Sequence, residues 1–147
     1  MLLAIDIGNS NIKFGLYDGA VWIDTWRVQT VPDRTADEYG VLLRSFMRER
    51  DCVPRDIDRA VVSSVVPQLT ERFTGMVSGL TGHVPLLVRP PQTALGLELA
   101  IDHPDTIGAD LVAAAVAAYD RFQGNCIAVG LGTATTFVAV EAPGVLR

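Results

Sequence analysis

The chain has 147 residues, of which 49% are hydrophobic and 20% are charged, a size and composition that fit one globular domain with a sizeable core. We expect a cytoplasmic protein with no membrane partner, because no apolar run reaches the ~18 to 20 residues of a membrane helix and the N-terminal apolar run is too short for a signal peptide. The net charge of -5 and the lack of a long basic cluster argue against a nucleic-acid partner.

Residues 1–30 predict an antiparallel meander of three strands. Apolar runs at 2–5, 12–17 and 20–28 alternate with short polar stretches. The Asp18-Gly19 pair between the second and third runs favours a hairpin with a type I′ turn, since that turn needs positive φ at both central residues.

Helices and strands alternate through the middle of the chain. Thr35 and Glu38 have the spacing of a capping box, which predicts the start of an amphipathic helix. A β-branched run that ends at Pro67 predicts a buried strand. The predicted elements of this region are a helix over 36–50, a strand over 59–66, a second amphipathic helix over 68–80 and a short strand over 84–88.

The last third of the chain begins with a segment rich in turn-forming residues, 89–110, in which a short strand over 97–101 is predicted. The alanine-rich stretch 109–122 is apolar all round and predicts a buried helix. Residues 125–142 then repeat the opening pattern, with an apolar strand, an interruption by glycine and threonine, and a second apolar strand. This internal repeat is the most informative feature of the sequence.

Both interruptions, DIGNSNIK and GLGTATTF, have the composition of a phosphate-binding hairpin. A turn of small residues exposes several backbone N–H groups in one concavity, and nearby hydroxyl, amide or ammonium groups add donors for an anion. Asp6 stands at the tip of a strand beside the first loop, where a carboxylate suits Mg²⁺, which favours oxygen ligands and shares them with phosphates. The other candidates are Gly8, Asn9, Ser10, Asn11 and Lys13 in the first loop and Gly130, Gly132, Thr133, Thr135 and Thr136 in the second.

Each loop taken alone also fits an ordinary tight hairpin, in which Asp6 would accept hydrogen bonds from turn amides. The repetition of the pattern weakens that interpretation. The GLGTAT stretch after a strand also resembles part of a dinucleotide-binding fingerprint, but its third glycine is missing. A strand-like run at 137–140 follows where that fingerprint requires a helix, so we reject the dinucleotide interpretation.

Five blocks of the sequence occur in an order and spacing similar to the type III pantothenate kinases, members of the superfamily of acetate kinase, sugar kinases and actin. These blocks are AIDIGNSNIKFGLYDG, TADEY, SSVVP, DHPDTIGAD with the VAAY that follows it, and GTATTF. The resemblance is to the N-terminal half of the family and covers essentially the whole chain. It implies an α/β fold of the actin-like ATPase (ribonuclease H-like) class, with a mixed β-sheet that starts as an antiparallel meander and is flanked by helices.

The resemblance implies an enzyme that phosphorylates pantothenate with ATP and Mg²⁺, the first committed step of coenzyme A biosynthesis. It also implies a homodimer that uses a monovalent cation, K⁺ or NH₄⁺. By position, the residues that resemble the family's two phosphate loops are Asp6, Gly8, Asn9, Ser10 and Lys13 in the first and Gly132, Thr133, Thr135 and Thr136 in the second.

Gly108, Ala109 and Asp110 resemble the family's substrate-binding block, in which the aspartate is the proposed base for the pantothenate hydroxyl. A carboxylate suits that role because phosphoryl transfer chiefly needs an oriented nucleophile and screened charge. The alternative for Asp110 is a structural one: an aspartate in the first turn of a helix, favoured by the helix dipole.

Three residues at the borders of these blocks depart from the family pattern. Leu111 stands where the family has arginine, and Gly130 and Val138 stand where it has aspartates. The loss of two carboxylates weakens the case for the monovalent-cation site, because hard cations need oxygen ligands. Ala114 also replaces a frequent asparagine.

Family members continue into a second actin-like half. We therefore expect residues 1–122 to form an actin-like α/β domain with the first phosphate loop, and residues 123–147 to begin a second half that is truncated or completed by another chain. Two functions follow. The chain is either a subunit of a pantothenate kinase, in a homodimer or a hetero-oligomer, or a catalytically impaired relative that binds or regulates an intact kinase.

Overall fold

The computed structural model describes residues 1–93 and 95–147, and the chain divides into two compact units, Met1–Leu87 and Val88–Arg147. This division differs from the boundary at residues 122 and 123 that the family pattern suggests. That boundary separates the two halves of the complete family fold, and it stays a prediction. Within the described residues, no helix is long and apolar enough to cross a membrane.

The first unit is built on a five-stranded mixed sheet. Its strands are β1 (Leu2–Ile7), β2 (Asn11–Tyr17), β3 (Trp22–Gln29), β4 (Arg59–Ser64) and β5 (Leu86–Leu87). They lie in the order β3-β2-β1-β4-β5. Strands β1, β2 and β3 pair in antiparallel fashion, which confirms the predicted meander, whereas β4 lies parallel to β1 and β5 lies parallel to β4. Strand β5 is shorter than the strand over 84–88 that the sequence predicts.

The hairpin between β2 and β3 is confirmed, but the predicted type I′ turn is wrong. Gly19 has a φ of +110°, and Asp18 is not among the described residues with positive φ. The Asp18 carboxylate instead accepts hydrogen bonds from the backbone N–H groups of Val21 and Ala20 at 2.9 and 2.8 Å, and these bonds lower its pKa. An aspartate that caps two amides in this way stabilises a longer loop than the two-residue turn.

Two helices, α1 (Ala36–Arg48) and α2 (Pro67–Thr81), pack against one face of this sheet. Side chains alternate along a strand, so every second residue of β1 points into this core. Phe73 of α2 lies at the centre, with its ring 6.2 Å from that of Phe14 and 4.8 Å from that of Tyr39. The largest fully buried side chains of this core are Leu3, Ile7, Ile12, Phe14, Leu16, Tyr39, Leu43, Met47, Ile57, Leu69 and Phe73.

The described residues of the second unit form β6 (Glu98–Leu99), α3 (Ala109–Phe122), β7 (Cys126–Leu131), β8 (Thr135–Glu141) and β9 (Val145–Leu146). The four strands form a sheet in the order β6-β9-β8-β7. Helix α3 packs on this sheet, and its Val112 and Ala115 share one buried cluster with Val138 and Val140 of β8. The predicted strand over 97–101 forms only at Glu98–Leu99.

The helix over 109–122 exists where it was predicted, but it is not buried all round. Only Ala109, Val112 and Ala115 are buried, and Phe122 at its end is 66% exposed. The sheet of this unit covers one side of α3, so the apolar residues on its other sides stay at the surface.

The start of α1 provides a test of the capping box. The Thr35 hydroxyl accepts a hydrogen bond from the Glu38 N–H at 3.3 Å, and the Glu38 carboxylate accepts from the Thr35 N–H at 2.8 Å. The bonds from Thr35 lower the pKa of Glu38, so the contribution of the carboxylate is present at neutral pH and is lost as acid protonates it. We expect Thr35→Ala to lower the free energy of unfolding by about 1 kcal/mol in urea titrations.

Ser45→Ala is the matched control, since Ser45 is exposed within the same helix and alanine is the better helix former there. Equal destabilisation by both variants would contradict a capping role for Thr35.

Candidate functional site

The first predicted phosphate loop is the tight turn between β1 and β2. The Gly8 N–H donates a hydrogen bond to the Asn11 carbonyl at 3.0 Å and closes the turn, while Asn9 and Ser10 form its exposed tip. A Cβ atom at Gly8 would lie 3.1 Å from that same carbonyl oxygen. Glycine therefore allows the backbone to approach itself closely at the base of the loop.

Thr30, which the sequence analysis did not single out, holds this turn from the side. Its hydroxyl donates to the Gly8 carbonyl at 2.7 Å, and its backbone N–H donates to the Ser10 carbonyl at 3.0 Å. The residue is buried, directly after the end of β3. One sequence feature marks Thr30: it is a hydroxyl residue at the end of the third predicted strand. The meander brings this strand end beside the turn between β1 and β2.

Asp6 and Lys13 lie side by side next to the turn, on the sheet face opposite the helices. They are register partners in β1 and β2, and the Lys13 ammonium lies 3.1 Å from the Asp6 carboxylate. Both side chains keep access to solvent, with exposed fractions of 38% for Asp6 and 55% for Lys13. The pair therefore offers one anionic and one cationic group that a charged ligand can reach.

Asp6 fits the part of a Mg²⁺ site that a protein usually supplies to a nucleotide. Mg²⁺ is commonly held by one or two carboxylates, with its other positions taken by water and substrate phosphates. Within residues 1–93 and 95–147, no group of three or more His, Cys, Asp or Glu side chains forms a metal cage. A Mg²⁺ ion held by Asp6 would take its other ligands from water and substrate phosphates.

Ser63 of β4 is a second residue that the sequence analysis did not select for the site. It is the register partner of Asp6 on the other side of β1, so both side chains lie on the same face of the sheet. Its hydroxyl oxygen is buried and has no hydrogen-bond partner among the described residues. The neighbouring Ser64 faces the helices and is fully engaged, accepting from Thr70 at 2.8 Å and donating to Val66 at 3.2 Å.

The second predicted phosphate loop is the turn between β7 and β8 in the second unit. The Gly132 N–H donates to the Ala134 carbonyl at 3.2 Å, and the residues from Gly130 to Thr135 are exposed. Gly130 pairs with Thr136 across the hairpin, and a Cβ atom at Gly130 would lie only 2.5 Å from the Thr136 hydroxyl oxygen.

Gly108, Ala109 and Asp110 form the beginning of α3. Gly108 is the N-cap residue in an extended conformation, Ala109 is buried, and Asp110 is exposed in the first helical turn. One Asp110 carboxylate oxygen accepts a hydrogen bond from the Leu111 N–H at 2.9 Å. This position is favourable for an anion at the positive end of the helix dipole, so the structural role of Asp110 is present whether or not the residue is also a base.

The predicted residues thus form three groups, one in the first unit and two in the second. Asp6, Gly8, Asn9, Ser10 and Lys13 are neighbours in the first unit. The groups of the second unit are the α3 start and the β7–β8 turn with Gly132, Thr133 and Thr135. A groove of about 450 Å³ between α1 and α2, lined by Gly40, Arg44, Glu71, Gly75 and Gly79 among others, contains none of the predicted residues.

Comparison with known proteins identifies the family. A family model described as type III pantothenate kinase matches residues 2–147. The chain belongs to the type III pantothenate kinase family. Proteins of that name from Rhodospirillum centenum and Anaeromyxobacter sp. strain K are each 42% identical to it over 144 residues, and one from Bifidobacterium animalis subsp. lactis is 36% identical over 146 residues.

The chain spans about half the length of these curated relatives. The matches cover 98–99% of the chain but only 55–58% of the relatives. Among solved structures, the Aquifex aeolicus Ppx/GppA phosphatase (type II variant) matches with a TM-score of 0.52 and 18% identity, covering 99% of this chain and 49% of that one. The ROK hexokinase of Thermus thermophilus matches with a TM-score of 0.51 and 15% identity, covering 99% and 48%. These similarities confirm the actin-like ATPase class of the fold.

The departures from the pattern of the pantothenate kinase family coincide with packing in the second unit. Val138 is 5% exposed and belongs to the core beneath α3, so a carboxylate in its place would be buried. Leu111 packs against the same core, and the Thr136 hydroxyl lies where a side chain at residue 130 would begin. Leu111 and Val138 therefore have apolar packing roles in this unit.

The role of Thr30 can be tested by exchanging its side chain. Thr30→Val keeps the shape but removes the hydroxyl, so we expect a loss of about 1 kcal/mol in the free energy of unfolding. Hydrogen exchange should become faster at the amides of Gly8 and Ser10, because the turn loses its lateral hydrogen bond. Thr30→Ser retains the hydroxyl and should preserve slow exchange; the same fast exchange in both variants would contradict this role.

For Ser63, whose buried hydroxyl has no hydrogen-bond partner among the described residues, we expect removal of the hydroxyl to stabilise the protein. A buried hydroxyl without a partner destabilises the folded state, so Ser63→Ala should raise the free energy of unfolding by about 1 kcal/mol in a urea titration. Ser64→Ala is the matched neighbour and should lower it by a similar amount, because it removes bonds to Val66 and Thr70. A destabilised Ser63→Ala would show that the hydroxyl has a partner in solution.

Proposed function

We propose that this chain supplies the phosphate-binding part of a kinase that uses ATP to convert pantothenate to 4′-phosphopantothenate, as one subunit of a larger enzyme. The observation that carries the proposal is the exposed Asp6–Lys13 pair beside the Gly8–Ser10 turn, in a chain that matches the pantothenate kinase family over residues 2–147. The proposed assembly is a homodimer or a hetero-oligomer with a chain that supplies the second half, and the proposed location is the cytoplasm.

The first unit would bind the phosphates of ATP. Lys13 would exchange its contact with Asp6 for a phosphate oxygen, because an ammonium and a phosphate form a strong charge-assisted hydrogen bond. Asp6 would then be free to hold Mg²⁺, and Asn9 and Ser10 at the exposed tip would add polar contacts. When bound, Mg²⁺ supplies positive charge that offsets the negative charge of the transferred phosphoryl group.

The second unit would bind and activate pantothenate. Gly108 and Ala109 would position the substrate at the start of α3, and the exposed Asp110 carboxylate would accept the proton of the pantothenate hydroxyl. The hydroxyl oxygen would form a bond to the γ-phosphorus of ATP as the bond from that phosphorus to the β,γ-bridging oxygen breaks, and ADP would leave. Gly132, Thr133 and Thr135 would contact phosphate through backbone N–H and hydroxyl groups at the exposed β7–β8 turn.

The monovalent cation fits this chain poorly. K⁺ and NH₄⁺ need several oxygen acceptors, and the two family aspartates are replaced here by Gly130, which has no side chain, and by the buried Val138. No step of the mechanism is therefore assigned to a monovalent cation.

The same replacements favour a second candidate function, that of a catalytically impaired partner or regulator of an intact pantothenate kinase. Leu111, Gly130 and Val138 remove one guanidinium and two carboxylates from the family pattern. A protein that keeps the fold but loses these charges would retain its binding surfaces while losing transition-state stabilisation.

A kinase assay separates the two functions. The chain is purified alone and mixed with a candidate second chain, and ATP-dependent formation of phosphopantothenate is measured. If Asp110 is the base, Asp110→Asn should lower the rate by a factor on the order of 10² or more. Asp6→Asn should instead raise the Mg²⁺ concentration needed for half-maximal activity.

Asp120→Asn is the matched control, since Asp120 is exposed on the same helix and lies ten positions from Asp110. Full activity of Asp110→Asn would remove the proposed base. Inactivity under every condition, together with binding to an intact kinase and a change in its rate, would establish the regulatory function instead.

A further inference from the structure

Three side chains form a row across neighbouring strands of the first unit, on the sheet face opposite the helices. Lys13 of β2 pairs with Asp6 of β1, and Asp6 pairs on its other side with Ser63 of β4. Residues at paired positions have their side chains on the same face of a sheet. The row therefore contains an ammonium, a carboxylate and a hydroxyl in that order, and we call it the cross-strand row.

The Ser63 hydroxyl is the member of the cross-strand row that has no bonding partner. The residue is 8% exposed, and its hydroxyl oxygen is buried and forms no hydrogen bond among the described residues. A buried hydroxyl without a partner destabilises the folded protein, and such groups are rare in native structures. Where proteins keep a feature of this kind, it commonly lies at a functional site.

Asp6 provides an acceptor beside this hydroxyl. Register places three apolar residues around Ser63 on the same face, namely Ala4, Val61 and Leu86. The Oδ2 atom of Asp6 accepts a hydrogen bond from the Lys13 ammonium at 3.1 Å, whereas Oδ1 accepts none within the part of the chain that the structure describes. An unpaired donor and an unpaired acceptor thus occupy paired positions on strands that lie about 4.8 Å apart.

We propose that Ser63 is a positioning residue for Asp6, and that its hydroxyl donates a hydrogen bond to the Asp6 carboxylate when Lys13 turns to a phosphate group. In the structure, the Lys13 ammonium is the donor that holds this carboxylate. Once the ammonium binds phosphate, the carboxylate loses that donor. Rotation of the Ser63 side chain between staggered rotamers then supplies a new one from the other side of the row.

The exchange of donors matters for the metal because a carboxylate ligand needs a fixed orientation. Carboxylates that bind metal ions are themselves held by hydrogen bonds, and loss of such a bond commonly lowers metal affinity by about 10- to 100-fold. Ser63 would therefore act through Asp6 on the binding of Mg²⁺ and would not contact the metal or the phosphates itself.

The inference rests on the proposed function in one respect, namely that the ligand of the cross-strand row is Mg²⁺ with the phosphates of ATP. The exchange of donors is a property of the three side chains alone. Replacing Lys13 by methionine also removes the ammonium from Asp6, and the Lys13 side chain is 55% exposed, so the fold tolerates this change. The exchange can therefore be tested without any ligand.

Urea unfolding of the ligand-free chain is the first test. Ser63→Ala should raise the urea midpoint of the otherwise unsubstituted chain, because it removes an unpaired buried hydroxyl. In a Lys13→Met chain the same substitution should lower the midpoint, since the hydroxyl is then bonded to Asp6. Ser64→Ala is the matched control: the Ser64 hydroxyl is bonded to Thr70 and Val66, so its removal should lower the midpoint equally in both chains.

Binding of Mg·ATP, measured by isothermal titration calorimetry, is the second test. Ser63→Ala should raise the Kd of the complex by about tenfold, although it stabilises the ligand-free chain. Ser64→Ala should leave this Kd unchanged. In an Asp6→Ala chain, Ser63→Ala should have no further effect on the Kd, because the hydroxyl acts through the carboxylate.

The two tests separate this inference from the proposed function. A midpoint that Ser63→Ala shifts in the same direction with and without the Lys13 ammonium would overturn the inference. An equal loss of Mg·ATP affinity with and without the Asp6 carboxylate would also overturn it, because Ser63 would then contact the ligand directly. A reversal of the midpoint shift in a chain that does not bind Mg·ATP would support the positioning role and contradict the proposed ATP site, whereas Mg·ATP binding that Ser63→Ala leaves unchanged would do the opposite.

Discussion

The alternation of side chains along β1 is the constraint on which the first unit depends. β1 is the central strand of its sheet and pairs with β2 on one side and β4 on the other. Its odd positions, Leu3, Ile5 and Ile7, are at most 3% exposed beneath the helices, and Asp6 between the last two must therefore face the opposite side. A register shift of one residue would bury the carboxylate and expose the core, so the packing that stabilises the unit also keeps Asp6 accessible to solvent.

In the second unit, packing and chemistry are linked in another way. Two of the three residues that depart from the pattern implied by the resemblance, Leu111 and Val138, contribute to the core between α3 and the sheet, whereas Gly130 is exposed. The β7–β8 turn has exposed glycine and threonine residues, and Asp110 is exposed at the start of α3. The two candidate functions rest on this contrast, because the proposed binding groups are present and three charged groups of that pattern are not.

Local patterns predicted much of this molecule. The capping box at Thr35, the hairpin at Asp18-Gly19 and the helix over 109–122 all exist, because each depends on residues close in sequence. The turn type was wrong because one carboxylate captures two amides, a competition that the Asp-Gly pair does not reveal. The burial of α3 was wrong for a different reason. An apolar helix is buried only when partners surround it, and this unit supplies a sheet on one side.

The sequence by itself determined the strands, the helices, the two small-residue turns and the family, since periodicity, caps and motif spacing are properties of neighbouring residues. Only the tertiary structure decided which distant residues support the site. Thr30 donates a hydrogen bond to Gly8 across 22 positions, and the Ser63 hydroxyl lies beside β1 without a hydrogen-bond partner in residues 1–93 and 95–147. The exposure of Ile127, Val129, Leu131 and Phe137 was likewise visible only after folding, because the exposure of a side chain depends on what packs on its sheet. An apolar strand can have the same sequence pattern whether one of its faces is covered or both.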